Sequence, residues 1–398
     1  MSVYLQPHQL SQAEKLVQET QANGGLAPVD LDQFWADDEM ADGDPFSPDC
    51  PQPKLGLANM ARECLFAELG LEEDWYRIYH DNQYECELSK RYNDVAERIV
   101  GRRLLNEIPG DPTRIWPKIR MLHDIFEAEN VWQGDSYWIL HSAESPRELS
   151  NLLDRVEKRL ENLRDFILPE GWGEEKARLV ALGEQVPAYR GQRGPVTFAT
   201  SVYGPENLIF LIHDDKPLAA RFRDLILQSI LGLARVLDEE AGLTPDTSER
   251  GFGWADDNCA LLNEEMYAFF GYPILEAVFA RYSPSPRDRR AQHSDSGMAH
   301  LLPVLSGLNF NSLNLGPTVR ADEIRKYHPN AVIEGQLAPF TFSRNEEVNI
   351  VAEFLRDFEM TKDTRGLSFM TAGSINNGSR LTGMRLIMAA IQRYGRYR

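Results

Sequence analysis

A chain of 398 residues, 42% hydrophobic and 26% charged, holds enough apolar material for one large or two smaller globular domains. Sixty-one acidic against 42 basic residues leave a formal charge of −19, which argues against nucleic acid or an anionic membrane as the main partner. Four cysteines (Cys50, Cys64, Cys86, Cys259) lack CxxC spacing, so neither a disulfide framework nor a zinc knuckle is suggested.

The opening MSVYLQPHQLSQAEK has no basic start followed by an apolar core, and no apolar run approaches membrane-spanning length. A cytoplasmic location is the expectation. Residues 1–172 read as a helical and loop region, broken by the acidic, Pro-rich stretch from Asp37 to Lys54, which is expected to be a loop or arm. Leu55 to Leu69 and Ser89 to Leu105 carry apolar residues at helical spacing. From Pro146 to Ile167 the repeat of Leu149, Leu152, Leu153, Val156, Leu160, Leu163 and Ile167 predicts an amphipathic helix, capped by Ser145.

Residues 173–398 alternate short strands with helices. The expected strands are Val196 to Thr200, Gly251 to Asp256, Arg290 to Asp295, Phe310 to Gly316, Ala331 to Gln336 and Leu367 to Thr371. Helices are expected over Leu218 to Leu237, Asn263 to Tyr282, Met298 to Leu305, Glu346 to Asp357 and Leu381 to Tyr394. So many βα units predict an α/β fold, a (β/α)8 TIM barrel, with the N-terminal region packed on it and partly completing it. The strands near Thr197, Trp254, His293, Leu313, Ile333 and Phe369 should be neighbours in that order in one barrel. No GxGxxG or GxxxxGK[ST] follows a strand, so no nucleotide cofactor is expected.

In such a barrel the C-terminal strand ends form the catalytic rim. His293 and Asp295 stand at i and i+2 of a strand end and so share a face. With Asp257 they are the candidate catalytic residues, able to move protons or, with Cys259, to hold a metal. Ser, Asn and Asp neighbours suit a harder cation better than zinc. Arg190 and Arg193 could clamp carboxylates. Asn314, Gln336, Ser374 and Asn377 complete a candidate substrate-binding set, although each also has a plain reading as a cap or turn residue.

Taken together, these segments resemble the uroporphyrinogen decarboxylase-like superfamily, over roughly Gly194 to Arg398. Arg193-Gly-Pro-Val-Thr-Phe-Ala is similar to that family's GPfTla strand. Phe252-Gly-Trp-Ala-Asp-Asp with Leu261-Leu-Asn-Glu-Glu-Met-Tyr is similar to its fDdwagllspe.f segment. His293 stands at the strand-end histidine, Gly335-Gln-Leu-Ala-Pro at qGNlDP, and Gly373-Ser-Ile-Asn-Asn-Gly at GHGI or GCGI; Ile391-Gln-Arg-Tyr-Gly-Arg-Tyr also has the family's look.

The resemblance implies a TIM barrel enzyme performing methyl transfer on a small or medium substrate, with decarboxylation or ligand binding without catalysis as alternatives. It implies one divalent metal, zinc or a harder cation, and a corrinoid protein or other methyl carrier as partner. A homodimer is compatible with it. The chain departs from the family in lacking the N-terminal RQAGRY segment of the decarboxylases. It also places Asp295 and Ser374 where the zinc-binding methyltransferases have cysteines. Tyr92-Asn-Asp and Val100-Gly-Arg-Arg match neither branch.

Overall fold

A computed structural model describes residues 4–373 and 377–397. Ser374 lies outside the described residues. The chain divides into two compact units: 1–109 with 293–302 and 310–398, and 110–292 with 303–309. The N-terminal residues share a unit with the C-terminal ones.

The protein is mixed α/β. Seven of its strands, among the described residues, follow one hydrogen-bonded order: β1 (Lys54–Leu55), β2 (Gly191–Arg193), β3 (Phe252–Ala255), β4 (Arg290–Ser294), β5 (Ser312–Leu315), β6 (Val332–Glu334) and β7 (Leu367–Phe369). In the first unit the order is β1-β7-β6-β5-β4, and in the second β4-β3-β2. Strand β4 is common to both, its Arg290–Gln292 part in the second unit and His293–Ser294 in the first. Pairing is parallel for β1 with β7, β6 with β7, β5 with β6, and β2 with β3.

The α/β class and the strand succession from Trp254 to Phe369 are as the sequence leads one to expect. Among the described residues the ladder has seven strands. Thr197 and Phe369, expected in one barrel, belong to different compact units.

In the first unit, helix Glu347–Thr361 packs against Pro7–Ala22 and Leu381–Tyr394. Phe354 meets Phe369 of β7 edge to face at 5.1 Å. The expected acidic loop is in its first part a helix, Leu31–Gly43, capped by Asp30, whose side chain accepts from the Gln33 amide. It buries Phe34, Trp35 and Asp38. The sequence hides this because an acidic run reads as solvated, whereas Asp38 is buried to accept the Leu55 amide of β1 at 2.7 Å. The second unit is built on the long helix Lys216–Glu240, against which Pro146–Glu161 packs. Phe126, Phe198, Phe222 and Phe270 form its buried aromatic chain. Ser145 caps Pro146–Glu161 as expected, accepting from the Glu148 amide.

The expected strand Val196 to Thr200 is instead a helix, Pro195–Tyr203, and the strand is the preceding Gly191–Arg193. Val and Thr read as strand by propensity, but that preference is readily overridden by tertiary contacts. Here Pro195 sits at the first helical position and Gly194 offers no capping side chain. Asp256, just past β3, supplies the cap from another segment: its Oδ1 accepts the Thr197 amide at 2.8 Å.

Asp256 is wholly buried, and burial raises its carboxyl from 3.8 to about 6; Asp38 is raised likewise to about 6. Because the folded value lies above the unfolded one, the contribution to stability is complete below pH 3.8 and is lost as pH rises through 6. For Asp256 the difference corresponds to about 3 kcal/mol. The Asp256→Asn variant should therefore gain stability relative to the parent as pH goes from about 4 to 7, since its amide keeps an acceptor for Thr197 without the charge. Urea unfolding across that range checks this, and a difference independent of pH would count against it.

Candidate functional site

The end of β4 and the segment after it carry His293 and Asp295. Strand β4 stops at Ser294, so the pair straddles the strand end as the sequence spacing suggests. Asp295 Oδ1 lies 3.0 Å from His293 Nε2, with the side chains 45% and 32% exposed. The other ring nitrogen, Nδ1, is 2.7 Å from Oδ1 of Asn314 on β5.

Which protons sit where follows from Asn314. Its Nδ2 donates to two backbone carbonyls, those of Glu334 and Thr371, the second at 3.2 Å. Only the NH2 group can serve carbonyls, so the amide has one orientation and presents its oxygen to His293. Nδ1 must then carry the hydrogen. In the neutral ring Nε2 holds the lone pair, and it faces a carboxylate oxygen. Two acceptors at 3.0 Å repel unless a proton or a cation lies between them. A proton on Nε2, or one shared with the carboxylate, meets this requirement, as a cation would.

Two glycines allow Asp295 to lie where it does. A Cβ on Gly373 would come within 1.9 Å of Asp295 Oδ1, and one on Gly316 within 2.5 Å of the Asp295 carbonyl. Gly373 also has φ +101°, a conformation other residues rarely adopt. Ser374, outside the described residues, follows it directly.

Other expected site residues take different roles. Arg190 precedes β2, and its guanidinium is bound to Asp238 at 2.7 and 2.9 Å and to the Glu249 carbonyl, stacked 4.2 Å from the Tyr282 ring centre. Asp238 is buried and the Arg190 side chain is 9% exposed, so the pair anchors the second unit. Gln336 is 1% exposed, and its Nε2 donates to the Gly316 and Val319 carbonyls. It therefore fixes the turn after β5, Gly316 included. Asn314 positions His293. Arg193 ends β2 half-buried, donating to the Tyr137 carbonyl at 3.3 Å. Asn377 is exposed in a turn.

In the second unit, Asp257 begins the turn Asp257–Leu261, half-buried. Were strand β3 to continue through Cys259, period-two alternation would put Cys259 on the same face as Asp257. Strand β3 ends at Ala255 and the next residues form a 3-10 turn, so that alternation does not hold. Cys259 is wholly buried. The turn is tied to helix Pro195–Tyr203: Thr197 Oγ1 accepts the Asn258 amide at 3.0 Å, and Asn258 Nδ2 donates to Thr200 Oγ1 at 2.7 Å.

Sequence reasoning missed Asp256 as the cap that organises this region and Gly316 and Gly373 as the space for Asp295. The signal for the glycines lay in their positions just past strand ends.

No family model matches the chain, and no curated protein matches it. Among solved structures it is similar to a methyltransferase from Methanosarcina mazei, with a TM-score of 0.49 and 16% identity, over 84% of this chain and 99% of that one. A likeness of that depth assigns no activity. Among the described residues no helix is long and apolar enough to cross a membrane.

Proposed function

We propose that the protein is an enzyme of methyl transfer to a small nucleophilic substrate, with His293 and Asp295 as its reactive centre. The observation that carries the centre is the pinned Asn314 amide, which aims the Nε2 lone pair of His293 at a carboxylate. The reaction class rests on the ordered segments that resemble the uroporphyrinogen decarboxylase-like superfamily, with a corrinoid or other methyl carrier as donor.

A nitrogen and a carboxylate oxygen, with Asp295 in place of a thiolate, fit a divalent cation harder than the thiolate-bound zinc of the family's methyltransferases. Such a cation, when bound, would polarise the substrate's nucleophilic atom and favour its deprotonated form. The chain's own part is to orient Nε2 through Asn314, to place the Asp295 carboxylate 3.0 Å from it, and to hold Asp295 against Gly316 and Gly373. Asp257, expected on sequence grounds to serve the same chemistry, enters the test as its own variant.

A second reading rests on the same 3.0 Å contact: without a cation, the His293–Asp295 pair takes up the proton that the acceptor loses as it receives the methyl group, acting as a general base. The test is methyl transfer from methylcobalamin to a panel of small thiols and amines, followed by the spectrum of the demethylated corrinoid, with and without added divalent ion. Turnover that needs the ion and falls about a hundredfold or more in His293→Ala is expected. Ion-independent turnover with the same loss would favour the general base. No turnover with any acceptor would favour a protein that binds its ligand without catalysis.

A further inference from the structure

Residues 62–106 enclose a pocket of about 220 Å³ that takes no part in the His293 centre. Its size lies below the range of about 300–1,000 Å³ that holds drug-sized ligands, so its occupant is a small molecule. Trp75, Ile78 and Leu105 give it apolar walls. Its polar side holds Arg62 and Glu85, paired at 3.3 Å and each about one-third exposed. The Arg62 guanidinium is held in place over two rings, 4.7 Å from the centre of Tyr79 and 5.8 Å from that of Trp75.

Ser89 adds a polar group to the wall. It lines the pocket one helical turn after Glu85, on the same face of helix Asn82–Val100, and is 2% exposed. Its hydroxyl can donate to, or accept from, a polar group of a bound molecule.

We infer that this pocket binds a free α-amino acid with a medium apolar side chain. Such a molecule carries a carboxylate and an ammonium group two bonds apart. It can enter between Arg62 and Glu85, giving each a new opposite charge so that neither is left unpaired. A simple anion or cation would strand one of them. The apolar walls receive the side chain, and Ser89 hydrogen-bonds the polar end.

Titration calorimetry on the full chain tests this with L-leucine, L-methionine and L-phenylalanine, beside 4-methylpentanoate and 3-methylbutylamine, which lack one charge of leucine each. Saturable binding of at least one amino acid is expected, with both one-charge analogues weaker by about tenfold or more. Arg62→Gln and Glu85→Gln should abolish it, Ser89→Ala should weaken it, and His293→Ala should leave it intact whatever the fate of the proposed reaction. No binding by any of the amino acids, equal binding of the one-charge analogues, or undiminished binding by folded Arg62→Gln would each overturn the assignment. Should the variants fail to fold, the analogue series on the wild-type chain decides it alone.

Discussion

Gly194→Ala is expected to cost more than about 3 kcal/mol of stability, at or beyond the upper end for overpacking of a buried site. The added Cβ would lie 2.1 Å from Asp256 Cβ and 2.5 Å from its Oδ1. Backbone strain plays no part, since φ is −59°. The obstacle is that Asp256 is wholly buried and cannot retreat without releasing the Thr197 amide. Helix Pro195–Tyr203 would lose its cap, and with it the contacts to Asn258 that tie down the turn carrying Asp257. Urea unfolding gives the number, and combining Gly194→Ala with Asp256→Gly should recover part of it, because the clash is shared between the two positions. A loss below about 1 kcal/mol would mean that the close approach is not rigid.

Asn314→Leu should act on both stability and chemistry. The Glu334 and Thr371 carbonyls would lose their common donor in a buried site, at a cost of about 2–4 kcal/mol. His293 would lose the acceptor that fixes its Nδ1 hydrogen. Partners that orient a ligating histidine typically matter by about 10–100-fold in metal affinity. A drop in divalent-ion affinity of that order is expected by calorimetry, in protein shown to be folded by its circular dichroism. Unchanged affinity would mean that the tautomer is set by something other than Asn314.

The parts of this protein that were legible in the sequence are those governed by local pattern. Strand β4 ends beside His293 because period-two alternation stops there, and the pairing with Asp295 follows from their spacing. The closing helix Leu381–Tyr394 has the bounds its apolar repeat predicts. What could not be read locally depends on partners distant in the chain. Val196 to Thr200 looks like a strand, and only a carboxylate some sixty positions away, Asp256, makes it the start of a helix. Arg190 looks like a clamp for carboxylates, and it is one, but for Asp238 inside the fold. Acid-rich Asp37 to Gly43 looks solvated, and Asp38 is buried because β1 needs an acceptor. Asn314 and Gln336 were recognisable as polar strand-end residues, but whether such an amide faces a substrate or a backbone carbonyl is decided by three-dimensional neighbours alone.

The central claim is that His293 and Asp295 hold a divalent cation between them. Metal analysis of protein loaded with manganese, cobalt or zinc and then dialysed tests it most directly, on the wild type and on His293→Ala, Asp295→Asn and Asp257→Asn. About one ion per chain is predicted for the wild type, falling to near zero in His293→Ala and in Asp295→Asn. An ion retained in full by His293→Ala would contradict the claim.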